Sequence, residues 1–280
     1  MFDTIKFVLK ESDLDNCMSF IEEIPCLISI KSSSANKVVG YLDNMKIEVR
    51  GTTLIVEGSL IKWLLGNNYA KCLSLWEVKV AINKLSKALN VSLEKAKVDR
   101  IDIAFNFQMR YTPWIYMKRL LYLDGYYRSN IKQETLYFNK YNCLILFYDK
   151  IAELSNSKST GAKTGIEDLK EINVLRYELR FMSVTKIFGK TVRTEHLYNP
   201  NFCLLLLDKW YELYMKINKQ FEEPMIRFNG AKSLKETCIA WCMHKMNLFD
   251  RLNEEFEKKQ ISSAEKFALK RQLERIEKNI

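Results

Sequence analysis

The sequence predicts an α+β fold, in which a central antiparallel sheet carries helices packed on one face and a helical C-terminal region follows. Three observations predict it. Strand-like alternation is interleaved with helical periodicity from residue 1 to about 190, and from 201 onward only helical periodicity remains. The 280 residues include only 9 Gly and 4 Pro, too few for the tight turns of a multi-bladed β fold. The composition is 48% hydrophobic, which supports a real core, yet no apolar run approaches the ~18 residues that span a bilayer.

The elements follow in order. A first strand is expected at 5–10 (IKFVLK), then strands at 38–48 and 53–57 joined by a turn at Arg50-Gly51. Ser59 is the expected cap of a short helix (SLIKWLLG) that stops at Gly66. Apolar residues at helical spacing predict a long amphipathic helix over 73–90, and alternation predicts a strand over 98–107. Pro113 opens an expected helix over 113–123, with Tyr126, Tyr127 and Arg128 in a following loop. Strands at 134–139 and 143–148 flank Lys140-Tyr141-Asn142, and a helix is expected over 149–155. The polar stretch 155–168 reads as a loop, 173–182 as a strand, and 201–219, 231–248 and 249–278 as helices. Two domains are expected, 1–195 and 196–280.

Composition narrows the function. The formal charge is +10, from 44 Lys+Arg against 34 Asp+Glu. The excess is +5 in residues 101–200, against +2 in 1–100 and +3 in 201–280, and a polyanionic partner would account for it. The seven cysteines are scattered without a C-x-x-C pair, which argues against disulfides and a structural zinc site. Only His196 and His244 are present, so a histidine-rich metal site is excluded. The N-terminal MFDTIKFVLKESD carries an early acid and no long apolar stretch, which predicts no signal peptide and a cytoplasmic protein without membrane partners.

Three segments place charge where a core strand would not. Period two puts Arg100, Asp102, Ala104 and Asn106 on one face of their strand, and Arg176, Glu178 and Arg180 on one face of theirs. The apolar run Leu144–Phe147 breaks into Tyr148-Asp149-Lys150 and then Glu153, a polarity switch at a strand–helix junction. Singly, each is what a half-solvated antiparallel sheet carries on its open face. Together, two carboxylates with nearby arginines suit a hard divalent cation and a phosphate, and a Tyr and a Lys two residues apart can supply a nucleophile and a charge stabiliser.

The order of segments resembles the replication initiators of filamentous phages, the gene II protein family and related phage and plasmid replication proteins. The matching pieces are SLIKWLLGNN (59–68), DRIDIAFN (99–106), ETLYFN (134–139), LILFYDKIAEL (144–154), LRYELRF (175–181) and TKIFG (185–189), covering about residues 50–190. The resemblance implies an HUH-nickase-like fold lacking the histidine pair. It also implies a metal-dependent, site-specific endonuclease and strand transferase that starts rolling-circle replication. Such an enzyme attacks one strand of origin DNA, single-stranded or hairpin-extruded, through a tyrosine, holds a 5′-phosphotyrosine, and rejoins strands by transfer. On this reading Tyr148 is the nucleophile, on the edge of the sheet's open face, and Lys150 the accompanying lysine. Asp102, Glu178 and Glu153 are the candidate ligands for Mg²⁺ or Mn²⁺. Arg100, Arg176, Arg180, Arg128, Lys62, Asn67 and Asn68 are the candidate DNA contacts. Host helicase and polymerase are possible partners, and Tyr126 or Tyr127 a possible second nucleophile. A non-catalytic origin-binding protein and a relaxase-like mobilisation protein are the alternatives.

Overall fold

The computed structural model describes residues 1–14, 19–28, 37–69, 71–132, 134–156, 172–220 and 248–278. They form two compact units, Met1–Lys219 and Gln220–Ile280. The first unit is built on nine strands: β1 (Phe2–Lys10), β2 (Lys37–Leu42), β3 (Met45–Arg50), β4 (Thr53–Ser59), β5 (Lys97–Met109), β7 (Tyr127–Ile131), β8 (Thr135–Lys140), β9 (Cys143–Asp149) and β10 (Asn173–Phe181). Their order is β2-β3-β4-β1-β5-β10-β9-β8-β7, with every neighbouring pair antiparallel. A separate two-stranded ribbon pairs β6 (Leu120–Tyr122) with β11 (Asn218–Lys219). Among the described residues no helix is long and apolar enough to cross a membrane.

The pleat sorts the two faces. Ile101, Ile103 and Phe105 of β5 lie in register with Phe181, Leu179 and Tyr177 of β10, and Ile145 and Phe147 of β9 continue the apolar row. The helix Pro200–Lys216 covers this face: Trp210 stacks on Tyr177 at 4.4 Å and meets Phe105 edge-on at 5.0 Å. The helix Leu75–Leu89, closed at its start by a Ser74–Glu77 capping box, adds Val78, Ala81, Ile82, Leu85 and Leu89 to the same core. The opposite face presents Lys6, Arg100, Asp102, Asn106, Arg176, Glu178, Arg180 and Tyr148.

A β-bulge in β1 shapes that second face. Phe2 pairs with Ile103 and Ile5 with Ile101, so one extra residue stands in β1 opposite β5. Phe2 and Ile5 therefore both reach the core although they are three residues apart, and Asp3 is delivered to the polar side, where its carboxylate meets Ser59, Asn68 and Arg176.

Several local expectations are corrected. The segment 38–48 is not one strand but a hairpin, turned at Asp43-Asn44, with Asp43 at φ +50°. The expected helix 113–123 ends at Met117 and gives way to β6. Tyr127 and Arg128 stand in strand β7, at the sheet margin, rather than in a loop. The C-terminal 249–278 is two helices, Leu248–Glu257 and Ser263–Lys278, with Lys259 at φ +57° between them and a Ser262–Glu265 capping box opening the second. The expected polar loop 155–168, apart from its first two residues, and the expected helix 231–248, apart from its last, lie outside the described residues.

Candidate active site

Local chemistry explains why Tyr148 stands where it does. Strand β9 runs apolar through Phe147, then Asp149 ends it: its Oδ1 accepts from the backbone N–H of Ile151 and Ala152, both at 3.0 Å, and so caps the helix Lys150–Asn156. Tyr148 is thereby the last side chain of β9 on the polar face before the chain turns into helix. β9 lies inside the sheet, between β10 and β8, so Tyr148 sits at a strand end and not on a margin strand.

Around it the polar face forms an alternating ladder of charge. The Tyr148 hydroxyl donates to Glu178 Oε2 at 3.1 Å. Arg180 Nε donates to Glu178 Oε1 at 2.6 Å and lies 3.5 Å from Asp102 Oδ2. Arg100 grips Asp102 with two parallel bonds, Nε to Oδ1 at 2.8 Å and Nη2 to Oδ2 at 2.6 Å, and reaches Glu57 with Nη1 at 2.7 Å. Glu178 and Asp102 are buried, whereas Arg100 and Arg180 keep 17% and 30% of their side chains open to solvent. The half-open arginines therefore cap buried acids.

Behind Tyr148 lies a second, closed node. Arg176 of β10 stands directly opposite Tyr148 of β9, and only 2% of it is exposed. Its Nη2 donates to Asp3, its Nη1 to the Asn68 carbonyl and to Asn106 Oδ1, both at 3.1 Å, and its Nε approaches Glu178 at 3.4 Å. Asp3 also accepts from the Ser59 hydroxyl and from Asn68. The Lys150 ammonium, 1% exposed, donates to Asn68 Oδ1 at 3.1 Å and to Glu153 at 2.6 Å. Asn68 thus joins the start of β1 to the start of the helix after β9.

Electrostatics follows from this burial. Desolvation raises the Asp3 carboxyl, but Arg176, then Ser59, Lys150 and Asn68, outweigh it and hold Asp3 below the usual carboxylate range. Asp102 goes the other way: burial, with Glu178 adding to it, exceeds the pull of Arg100 and Arg180 and pushes it to about 6. Burial, then the Glu178 charge, pushes the Tyr148 hydroxyl well above its ordinary value, and burial lowers the Lys150 ammonium.

The sequence-predicted residues therefore separate into groups. Tyr148, Glu178, Asp102, Arg100, Arg176 and Arg180 are brought onto one face, and Lys150, Glu153 and Asn68 adjoin them. Lys62 is exposed on the short helix Leu60–Leu65, and Asn67 Oδ1 accepts from the Tyr69 N–H in the loop beyond it. Arg128 is apart from them: its Nε donates to the Leu120 carbonyl and ties β7 to β6. Tyr126 is half-buried with its hydroxyl 3.5 Å from Cys143 Sγ, while Tyr127 is exposed. Sequence reading misses Asp3, because it begins the first strand at Ile5; the available signal is an acid between Phe2 and a run of alternating apolar residues.

Asp102, Glu178 and Glu153 do not fit a divalent-ion site in this arrangement. Each carboxylate is already engaged by a cation, Glu153 faces Lys150 and not the other two, and among the described residues no three His, Cys, Asp or Glu side chains gather for a metal.

A comparison with the curated proteins finds no match. A family model does match over residues 8–198, and its description is the N-terminal region of the replication-associated gene II protein. The matched stretch is more than half of the chain and contains every residue of the Tyr148 ladder, with Asp3 just outside it. With the match covering more than half of the chain, the chain belongs to the gene II protein family of replication-associated proteins, whose role is the initiation of rolling-circle replication.

Proposed function

We propose that this chain nicks one strand of origin DNA with Tyr148 as the nucleophile and keeps the 5′ end as a phosphotyrosine. The observation that carries the reading is the Tyr148 hydroxyl on the polar face, bonded to Glu178 Oε2, while the half-open Arg180 holds the other oxygen of that carboxylate. The tyrosine oxygen attacks phosphorus, the bond to the 3′ oxygen breaks, and a 3′-OH is left for a polymerase. The bond formed is a phosphodiester like the one broken, so a free 3′-OH can later reverse the step and rejoin strands without a nucleotide cofactor. Arg100 and Arg180 are suited to meet the phosphate, because both are half-open and their guanidinium forks match its oxygens. Arg176 and Lys150, buried and paired inward, hold the strand end and the Asn68 loop in place beneath it.

The test is nicking of supercoiled plasmid carrying the cognate origin, with the protein–DNA adduct trapped in denaturant. Parallel reactions contain Mg²⁺, Mn²⁺ or chelator, so any cation requirement is read directly. Wild type is expected to nick and form the adduct, and Tyr148→Phe to do neither while binding DNA normally. An adduct that survives in the phenylalanine variant removes Tyr148 from this role. A wild type that binds but never nicks makes the chain a non-catalytic origin-binding protein.

A further inference from the structure

We infer that Glu178 is the proton acceptor for Tyr148 in strand cleavage, an assignment that rests on the nicking reading above. Tyrosine needs assistance to attack at neutral pH, since its unperturbed pKa is near ~10. The carboxylate that takes the hydroxyl's hydrogen bond here is that of Glu178, through Oε2 at 3.1 Å, which is the geometry a general base requires. The other ionisable candidates face elsewhere: Lys150 is turned to Asn68 and Glu153, and Asp102 is gripped by Arg100.

The carboxylate is also held in its working orientation. Arg180 fixes Oε1 at 2.6 Å and Arg176 approaches Oε2 at 3.4 Å, so Oε2 is aimed at the tyrosine from the middle of a buried strand. The job differs from that of a metal ligand, for which the lone pairs of Glu178 would have to be released from both arginines. The step balances simply. The O–H bond of Tyr148 breaks as the oxygen–phosphorus bond forms, and the proton passes to Glu178 Oε2. The phosphorus–3′-oxygen bond breaks, and the leaving oxygen takes a proton from water. In the rejoining direction Glu178 returns its proton to the tyrosine oxygen. Burial and the Glu178 charge both disfavour a free phenolate, in keeping with a proton that leaves only as attack proceeds.

The experiment uses the full chain and a single-stranded oligonucleotide spanning the nick mapped with wild type. Adduct formation is followed in single turnover for wild type, Glu178→Gln and Glu178→Asp, alongside DNA affinity and thermal unfolding. The glutamine variant is expected to form the adduct roughly 10² to 10⁴ times more slowly with unchanged affinity, the range that loss of a general base produces. Glu178→Asp keeps the charge against both arginines but pulls back from the tyrosine, and is expected to fall between the two; it carries the test alone if the glutamine variant fails to fold. With a 3′-bridging phosphorothiolate, whose sulfur leaves without a proton, the loss is expected to persist, because the deficit is at the nucleophile. Three results overturn the assignment: a loss under tenfold, a loss abolished by the sulfur leaving group, or activity restored by raising Mn²⁺, which would make Glu178 a ligand. Failure of wild type to form any adduct, or an adduct retained by Tyr148→Phe, would instead strike the nicking reading itself.

Discussion

Replacing Asp3 by alanine tests the buried node most directly. The change removes the carboxylate that meets Arg176, the Ser59 hydroxyl and Asn68, all three nearly closed to solvent. Breaking a buried ion pair by deleting one partner costs about 3–5 kcal/mol, because the remaining charge stays desolvated. Arg176 retains the Asn68 carbonyl, Asn106 and the longer Glu178 contact, so the lower end, about 3 kcal/mol, is expected. With a urea dependence of roughly 3 kcal/mol per molar for a unit of this size, the midpoint should fall by about 1 M at unchanged slope. Adding Arg176→Met to Asp3→Ala should cost far less than the sum of the singles, with a coupling of about 1–3 kcal/mol. Because Asp3 is held below its unfolded value of 3.8, its contribution is complete above that pH and fades as pH falls through the folded value. The gap between wild type and Asp3→Ala should therefore close in acid. A midpoint shift under about 0.3 M, or strictly additive double-mutant energies, would refute this account of the node.

Asp102 predicts the opposite pH trend. Its folded value of about 6 lies above the ordinary 3.8, so its contribution is complete below pH 3.8 and is lost as pH rises through 6. That loss is on the order of 3 kcal/mol, which Asp102→Asn escapes, so the stability of Asp102→Asn relative to wild type should improve between about pH 4 and 7 in parallel urea titrations. Trp210→Ala should lower stability by about 3–5 kcal/mol in thermal or urea unfolding, since it uncovers Tyr177 and Phe105 on the apolar face.

Much of the fold is legible in the sequence because period two is a local property. The alternation in Arg100–Asn106 and in Arg176–Arg180 places both charged rows on one side of the sheet, and the structure has them in register across β5 and β10. What fails depends on partners distant in sequence. Helix 113–123 is overextended because β6 exists only by pairing with β11, nearly a hundred residues on. The strand 38–48 hides its turn because Asp43-Asn44 lies between apolar residues on both sides and needs a left-handed Asp43 to reverse the chain. The acid at Asp3 is visible in the sequence, but the face it takes is not, because a bulge, set by the register of β1 on β5, decides which way it points. The Tyr148–Lys150 junction is readable as a polarity switch, but not that Lys150 is buried against Asn68 and Glu153.

The charge distribution on the sheet supports the role proposed for the polar face. β5 and β10 are central strands, and an apolar residue at Asp102, Arg176 or Glu178 would satisfy the same backbone pairing. Buried ion pairs gain little stability over well-packed apolar side chains, because desolvation offsets most of their attraction. Four ionised or ionisable side chains, Asp3, Asp102, Arg176 and Glu178, are nonetheless held almost fully buried around one tyrosine hydroxyl. Stability alone gives no reason for that arrangement. The proposed reaction, which moves a proton off Tyr148 and brings a phosphate's negative charge beside it, would supply one, since a preoriented set of charges needs no rearrangement when the charge arrives. The exposure pattern fits the same reading: Arg100 and Arg180 keep open surface, whereas Arg176, opposite the tyrosine on β10, is closed. Of the positive excess that composition assigns to residues 101–200, the charge of Arg176 is held inside the protein against Asp3, which lies outside that stretch.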